Sequence, residues 1–173
     1  MLKTQTPDAD MYKSKKIISI EEACLKIAEL KRRKKTIGLC HGGFDLLHAG
    51  HIKHFESAKK LCDYLIISIT SDKYVQKHKG AGRPIFPDRI RAYIISAIEF
   101  VDNVVISDHE TGIDIITILK PSYYIKGPDY INKKEDIALR KETEAILSVK
   151  GKILFTKDIK LSTTEIINHI KNV

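Results

Sequence analysis

No apolar run in this chain approaches the roughly 18 uninterrupted residues of a membrane-spanning helix, so no span is expected. The first residues, Met1-Leu2-Lys3-Thr4-Gln5-Thr6-Pro7-Asp8, have no apolar core of the kind that marks a signal peptide, and the expected location is the cytoplasm. Cysteine is scarce: Cys24, Cys40 and Cys62 are odd in number, widely spaced and form no CxxC pair. That pattern argues against a disulfide framework or a thiolate zinc site and fits reduced, mostly buried thiols. Internal repeats, low-complexity segments and linker-like stretches are also missing. Residues 1–15, polar and aperiodic, read as a flexible tail, and 16–173 read as a single domain with one substantial core.

What is present is a basic excess of 30 Lys and Arg over 22 Asp and Glu, a net charge of +8. Such a balance favours polyanionic partners, and a nucleoside triphosphate qualifies as readily as a nucleic acid. The densest run, Lys31-Arg32-Arg33-Lys34-Lys35, closes a helix expected from Ile20 to about Arg33, where cations complement the negative end of the helix dipole. No aromatic residues interleave with it, which speaks against a nucleic-acid surface.

Strand-like apolar runs recur at Ile37 to His41, Tyr64 to Ile69, Val101 to Ser107, Tyr123 to Lys126 and Ile153 to Phe155, with helical patterns between them. The clearest helical pattern lies in Pro87 to Phe100, where Ile90, Ile94, Ala97, Ile98 and Val101 repeat at three and four. The expectation is an α/β fold, a Rossmann-like doubly wound parallel sheet of about five strands with helices on both faces. Ligands of such sheets gather beyond the carboxyl ends of the strands, at the topological switch point. His41-Gly42-Gly43, Thr70-Ser71-Asp72 and Gly127-Pro128-Asp129 each follow a strand, and so should share one site.

The most informative segment is Gly42-Gly43-Phe44-Asp45-Leu46-Leu47-His48-Ala49-Gly50-His51. It reads as a glycine turn after a buried strand, then a helix beginning near Ala49. A helix start offers unpaired N–H groups and the positive end of the dipole, a seat for phosphate. The turn glycines permit positive φ and close backbone approach, and Asp45 can brace the turn through backbone amides. His48 and His51 fall on one helical face, and Gly50 removes the side chain that would hold a ligand off the backbone. The chemistry this suits is nucleotidyl transfer, in which preplaced donors meet charge developing on an α-phosphate. His54 continues the spacing and raises zinc as an alternative, although no matching carboxylate or cysteine accompanies the three imidazoles. Further on, Lys77 to Ile85 is a glycine-broken basic loop, and Ser162 with Glu165 forms a capping-box pattern before an apolar run.

GGFDLLHAGH resembles the signature of the HxGH cytidylyltransferase-like nucleotidyltransferase family. The likeness is nearest to adenylyltransferase domains that activate heptose 1-phosphate, with glycerol-3-phosphate cytidylyltransferase more distant, and it runs from about Lys16 to Ile170. The resemblance implies catalytic roles for His48, His51 and Lys79, and nucleotide contacts from Gly42, Gly43, Phe44, Asp45 and Gly50. Lys126, Gly127 and Asp129 match a Lys-Gly-Gly-Asp-Tyr segment that contacts the nucleoside, with Pro128 in place of a glycine. Ser162, Thr163 and Thr164 match a phosphate seat, and Arg83 and Arg91 match positions assigned here to the acceptor.

His41 stands where relatives often carry Asn or Thr, and the segment from Tyr130 to about Lys152 is longer than usual, which leaves the acceptor open. Lys157 stands where the glycerol enzymes carry arginine, five residues before Ser162, and lacks that planar fork. The implied activity transfers AMP from ATP to a sugar 1-phosphate with release of pyrophosphate, giving an activated sugar for surface polysaccharide. Mg²⁺ would come with the nucleotide rather than in a dedicated protein metal site. A homodimer and a separate sugar kinase are the implied partners, with no nucleic acid and no membrane. The alternatives are a cytidylyltransferase using CTP and glycerol 3-phosphate or another polyol phosphate, and an inactive basic nucleic-acid-binding or regulatory module.

Overall fold

Period-two alternation within each strand sorts the side chains into two cores. In the computed structural model, which describes residues 11–131, 133, 135–158 and 161–172, the chain order is α1 (Ile20–Arg32), β1 (Ile37–Gly42), α2 (Ala49–Lys59), β2 (Tyr64–Thr70), α3 (Asp72–Lys79), α4 (Asp88–Ser96), β3 (Asn103–Ser107), α5 (Gly112–Leu119), β4 (Tyr123–Lys126), a 3₁₀ turn (Pro128–Tyr130), α6 (Ile137–Ser148), β5 (Lys152–Phe155) and α7 (Thr163–Lys171). Ile37 and Leu39 of β1, Ile66 of β2, Val105 of β3 and Tyr124 of β4 join Ala23, Ile115, Ile116 and Ile146 on the α1, α5 and α6 side. Their neighbours Cys40, Leu65, Ile67, Val104 and Ile125 pack with Phe55, Ala58, Ala92 and Ile95 on the α2 and α4 side. A sheet buried on both faces explains why the strands read as near-continuous apolar runs.

The five strands are all parallel, in the order β3-β2-β1-β4-β5. The order reverses between β1 and β4, so the switch point lies where the His41 and Gly127 segments leave the sheet. The α/β expectation holds. Several boundaries move: β1, β2 and β5 each gain a residue, and the helix expected to reach Phe100 ends at Ser96. The strand expected from Val101 begins at Asn103, because the Asp102 carboxylate is engaged at the sheet entrance by the Leu65 amide (2.7 Å) and Lys59 Nζ (2.6 Å). The segment from Lys77 is not all loop. Lys77, His78 and Lys79 form the last turn of α3, and Gly80 and Gly82, with φ of 86° and 80°, break the chain after it.

α1 starts with a full capping box, Ser19 accepting from the Glu22 amide while the Glu22 carboxylate accepts from the Ser19 amide. The Lys31–Lys35 run that closes it is occupied locally. Lys31 donates to the Lys120 carbonyl, Arg33 pairs with Glu29, and Lys35 pairs with Asp63. Of the expected tail, residues 1–10 lie outside the described residues. Tyr12, also assigned to it, sets its ring edge-on against Tyr93 at 5.5 Å, and Ile17 bridges to Val104 alongside β3.

Candidate active site

β1 delivers His41 and Gly42 to the carboxyl edge of the sheet, and the chain turns there into α2. A cleft of about 420 Å³ opens at that point. Its walls include Gly42, Gly43, Phe44, His48, Gly50, His51, Lys79, Lys126, Gly127, Asp129, Ser162, Thr163 and Thr164. Thirteen of the sixteen residues singled out from the sequence thus converge on one cavity. Asp45, Arg83 and Arg91 do not line it.

The turn differs in detail from expectation. Neither Gly42 nor Gly43 has positive φ; that conformation falls on Phe44 (φ 43°). A Cβ on Gly42 would come within 3.1 Å of the Phe44 ring, so the glycine makes room for the aromatic rather than for an unusual dihedral. The Phe44 ring stands edge-on to His51 at 5.4 Å and to Phe55 at 5.2 Å, coupling the imidazole to the core. His48 is the N-cap of α2, and its ring stacks on His51 with centroids 3.9 Å apart. Gly50 fits this stack, since a Cβ there would meet His48 Nδ1 at 3.0 Å and Leu161 Cβ at 3.1 Å.

Burial, then the neighbouring His48, His54 and Lys79 charges, pull the His51 pKa down to about 3. Burial also lowers that of His48. Both rings are therefore neutral near pH 7, each able to donate one N–H. The Nδ1 atoms of both are buried and have no hydrogen-bond partner among the described residues. His54 Nδ1 is engaged by Thr156 Oγ1 at 2.9 Å, and among the described residues no group of three His, Cys, Asp or Glu is placed to hold a metal ion. Lys79 reaches the glycine turn, its Nζ 3.7 Å from where a Gly43 Cβ would stand, and burial followed by the Arg83 cation lowers its pKa.

The three residues outside the cleft support it. Asp45, expected to brace its own turn, instead accepts from the Ile85 and Phe86 amides and from Arg83 Nε, anchoring the 83–86 loop. Arg83 is directed at Asp45 and not into the cavity. Arg91, assigned to the substrate from sequence, has a fully buried side chain. It donates to the carbonyls of Gly43, Thr70 and Phe86 and pairs with Asp72 Oδ1 at 2.7 Å, joining the β1, β2 and 83–86 loops. Its guanidinium is engaged by protein groups and lies outside the cleft lining, where it holds the loops of the cleft floor together.

Opposite the imidazoles, Lys126 Nζ lies 3.9 Å from the centre of the Tyr130 ring and 2.7 Å from Glu142 Oε2. Ser162 caps α7 by accepting from the Glu165 amide at 3.4 Å, and Thr163 Oγ1 donates to the Leu46 carbonyl at 3.2 Å, fastening α7 to the histidine loop. Lys157 is exposed and outside the cleft. Sequence reasoning missed Lys133 in the lining, and it placed Tyr130 and Leu161 within the motifs without giving either a role. It also missed Glu142, whose only signal was a carboxylate on the stripe formed by Leu139, Ala145 and Ile146.

Residues 39–169 match the cytidylyltransferase-like family model. The bifunctional protein HldE of Campylobacter fetus subsp. fetus is 40% identical over 158 residues, 91% of this chain and 32% of that protein. That of Nitratiruptor sp. is 40% identical over 159 residues, with 90% and 32% covered. The chain thus spans about a third of the length of these curated relatives. Among solved structures, a lipopolysaccharide core biosynthesis protein from Thermoplasma volcanium superposes with a TM-score of 0.61 at 23% identity, over 73% of this chain and 99% of that one. A pantoate-beta-alanine ligase from Francisella tularensis does so with a TM-score of 0.55 at 17% identity, over 92% and 79%. These two share the fold. With its HxGH segment at the switch point of a matching sheet, the chain belongs to the cytidylyltransferase-like family of nucleotidyltransferases.

Proposed function

We propose that this nucleotidyltransferase moves AMP from ATP onto a sugar 1-phosphate of the heptose 1-phosphate kind. An oxygen of the acceptor phosphate attacks the α-phosphorus, the bond from that phosphorus to the β-phosphate bridge breaks, and pyrophosphate leaves. The observation that carries this reading is the convergence of two neutral, stacked imidazoles, the uncapped start of α2 and Lys79 on one side of a single cleft. Charge gathering on the α-phosphoryl oxygens would draw on donors already in place, and no protein nucleophile is required. Lys126, Gly127 and Asp129 would hold the nucleoside, and Ser162, Thr163 and Thr164 the outer phosphates. The lining offers imidazole, ammonium, hydroxyl and amide groups, which suit phosphate oxygens, with Asp129 and Glu165 as its carboxylates. No group of three His, Cys, Asp or Glu among the described residues is placed to hold a metal ion, so Mg²⁺ would be held largely by the triphosphate and water, supplying charge neutralisation.

The product would be a nucleotide-activated sugar for surface polysaccharide, made in the cytoplasm by a homodimer, with a separate sugar kinase supplying the acceptor. Pyrophosphate release measured across ATP, CTP, GTP and UTP against heptose 1-phosphate, mannose 1-phosphate and glycerol 3-phosphate tests the reading. ATP with a sugar 1-phosphate should be the fastest pair. Preference for CTP with glycerol 3-phosphate would replace it with the cytidylyltransferase, and an inert protein that retards RNA would replace it with the binding module.

A further inference from the structure

Beside the nucleotide cleft lies a second cavity of about 520 Å³, on the α5 and α6 side of the sheet. It shares His41, Gly42, Lys126 and Tyr130 with the first and adds the start of α5, Lys141 and Glu142. Glu142 comes from α6, the segment whose length departs from the family pattern. Its side chain is 11% exposed, and Lys126, its ion-pair partner, is 8% exposed. Oε1 accepts from the Tyr124 hydroxyl at 2.7 Å and Oε2 from Lys126 Nζ at 2.7 Å. Room for this arrangement depends on Gly112, where a Cβ would fall 2.6 Å from Glu142 Oε1 and 2.7 Å from the Tyr124 oxygen.

A carboxylate has about four acceptor positions, and Tyr124 and Lys126 use two of them. Glu142 lines the second cavity, whose wall of His41, Gly42, Lys126 and Tyr130 is also a wall of the first. Lys126 balances its charge, so Glu142 meets a ligand as a hydrogen-bond acceptor for hydroxyl groups. An acceptor would accordingly orient with its phosphate toward His48, His51 and Lys79 and its hydroxyls toward α6.

Resting on the function proposed above, we propose that Glu142 is a specificity-determining residue, accepting hydrogen bonds from hydroxyls of a phosphorylated sugar held in the second cavity. The test uses the full chain as wild type and as Glu142→Gln. Pyrophosphate release is followed with heptose 1-phosphate, mannose 1-phosphate, glycerol 3-phosphate and monodeoxy forms of the best acceptor, and ATP binding is followed separately by calorimetry. Glu142→Gln should raise the acceptor KM by about ten- to a hundredfold, the value of a hydrogen bond to a charged group, and by a clearly larger factor than it changes the ATP Kd, which reads its loss as the counter-ion of Lys126. At least one monodeoxy acceptor should be penalised by the wild type and not by the variant.

Equal discrimination by both proteins would make Glu142 a counter-ion for Lys126 and overturn the proposal, leaving the nucleotidyltransferase reading intact. Should the variant fail to fold, the wild type alone decides, because indifference to every deoxygenation overturns the proposal. No release with any acceptor, while ATP still binds, would overturn both readings.

Discussion

Two helices aim their amino ends at the same cleft and are built in opposite ways. α2 has no side-chain cap hydrogen bond at His48, and it is secured along its length by Phe55 and Ala58, both fully buried. α7 is capped by Ser162, which uses the Glu165 amide, and its outer residue Ile170 is 65% exposed. A helix start meant for an anion leaves its amides open and takes its stability from packing; a capped start offers hydroxyls instead. The α2 half should therefore respond to changes in burial and charge, and the α7 half to changes in local hydrogen bonds.

Acid should have the largest effect, since it strikes three buried imidazoles of β1 and α2 together. Burial holds His41 and His54 at about 4 and His51 at about 3, against an ordinary value of 6.5. The unfolded chain binds protons below about pH 6.5 that the folded one does not, so stability is full above that pH and falls as pH drops toward 4. Melting temperature measured from pH 7.5 to 4.5 should decline across this window, and His41→Gln should flatten the decline. A profile level through that range would mean the imidazoles are freely hydrated. Next, Arg91→Met strands the Asp72 carboxylate and three backbone carbonyls, and urea denaturation should show a loss of about 3–5 kcal/mol. An unchanged midpoint would mean that the loops hold themselves.

His48→Ala and His51→Ala should each lower kcat by about 10²–10³ with little change in ATP affinity, as expected for donors to developing charge. Near wild-type turnover in both would remove catalysis from the stacked pair. The smallest effects belong to α7. Ser162→Ala should cost about 0.5–2 kcal/mol as a lost cap. Thr163→Val gives up the bond to Leu46 and should cost about 0.5–1.5 kcal/mol. Thr164→Val should keep the melting temperature and bind ATP more weakly; normal binding would reduce this helix start to a structural role.

Strands buried on both faces were legible because each is a short continuous apolar run, and β4 lies where it was expected. The start of α2 was legible too, because a glycine turn and a change of period precede it. What escaped was the meaning of charges inside apolar stripes. Arg91 sits between Ile90 and Ala92 on a helix packed against β2 and β3, and Glu142 sits on the inner stripe of α6. A charge in such a place must be paired to be buried, so it marks a polar junction, yet sequence does not say with what it pairs. Arg91 matched a family arginine in sequence, and its pairing with Asp72 became visible only in the fold. The positive φ at Phe44 escaped because glycine is the usual residue there, and only packing against His51 and Phe55 holds an aromatic in it.

His41, Gly42, Lys126 and Tyr130 border both cavities, and a wall with two sides is a thermodynamic coupling. A ligand that displaces Lys126 changes the free energy of the opposite chamber, and reciprocity requires the same factor in both directions. Whichever substrate comes first shifts the affinity awaiting the second by that one factor, so either order of arrival ends at the same total binding free energy.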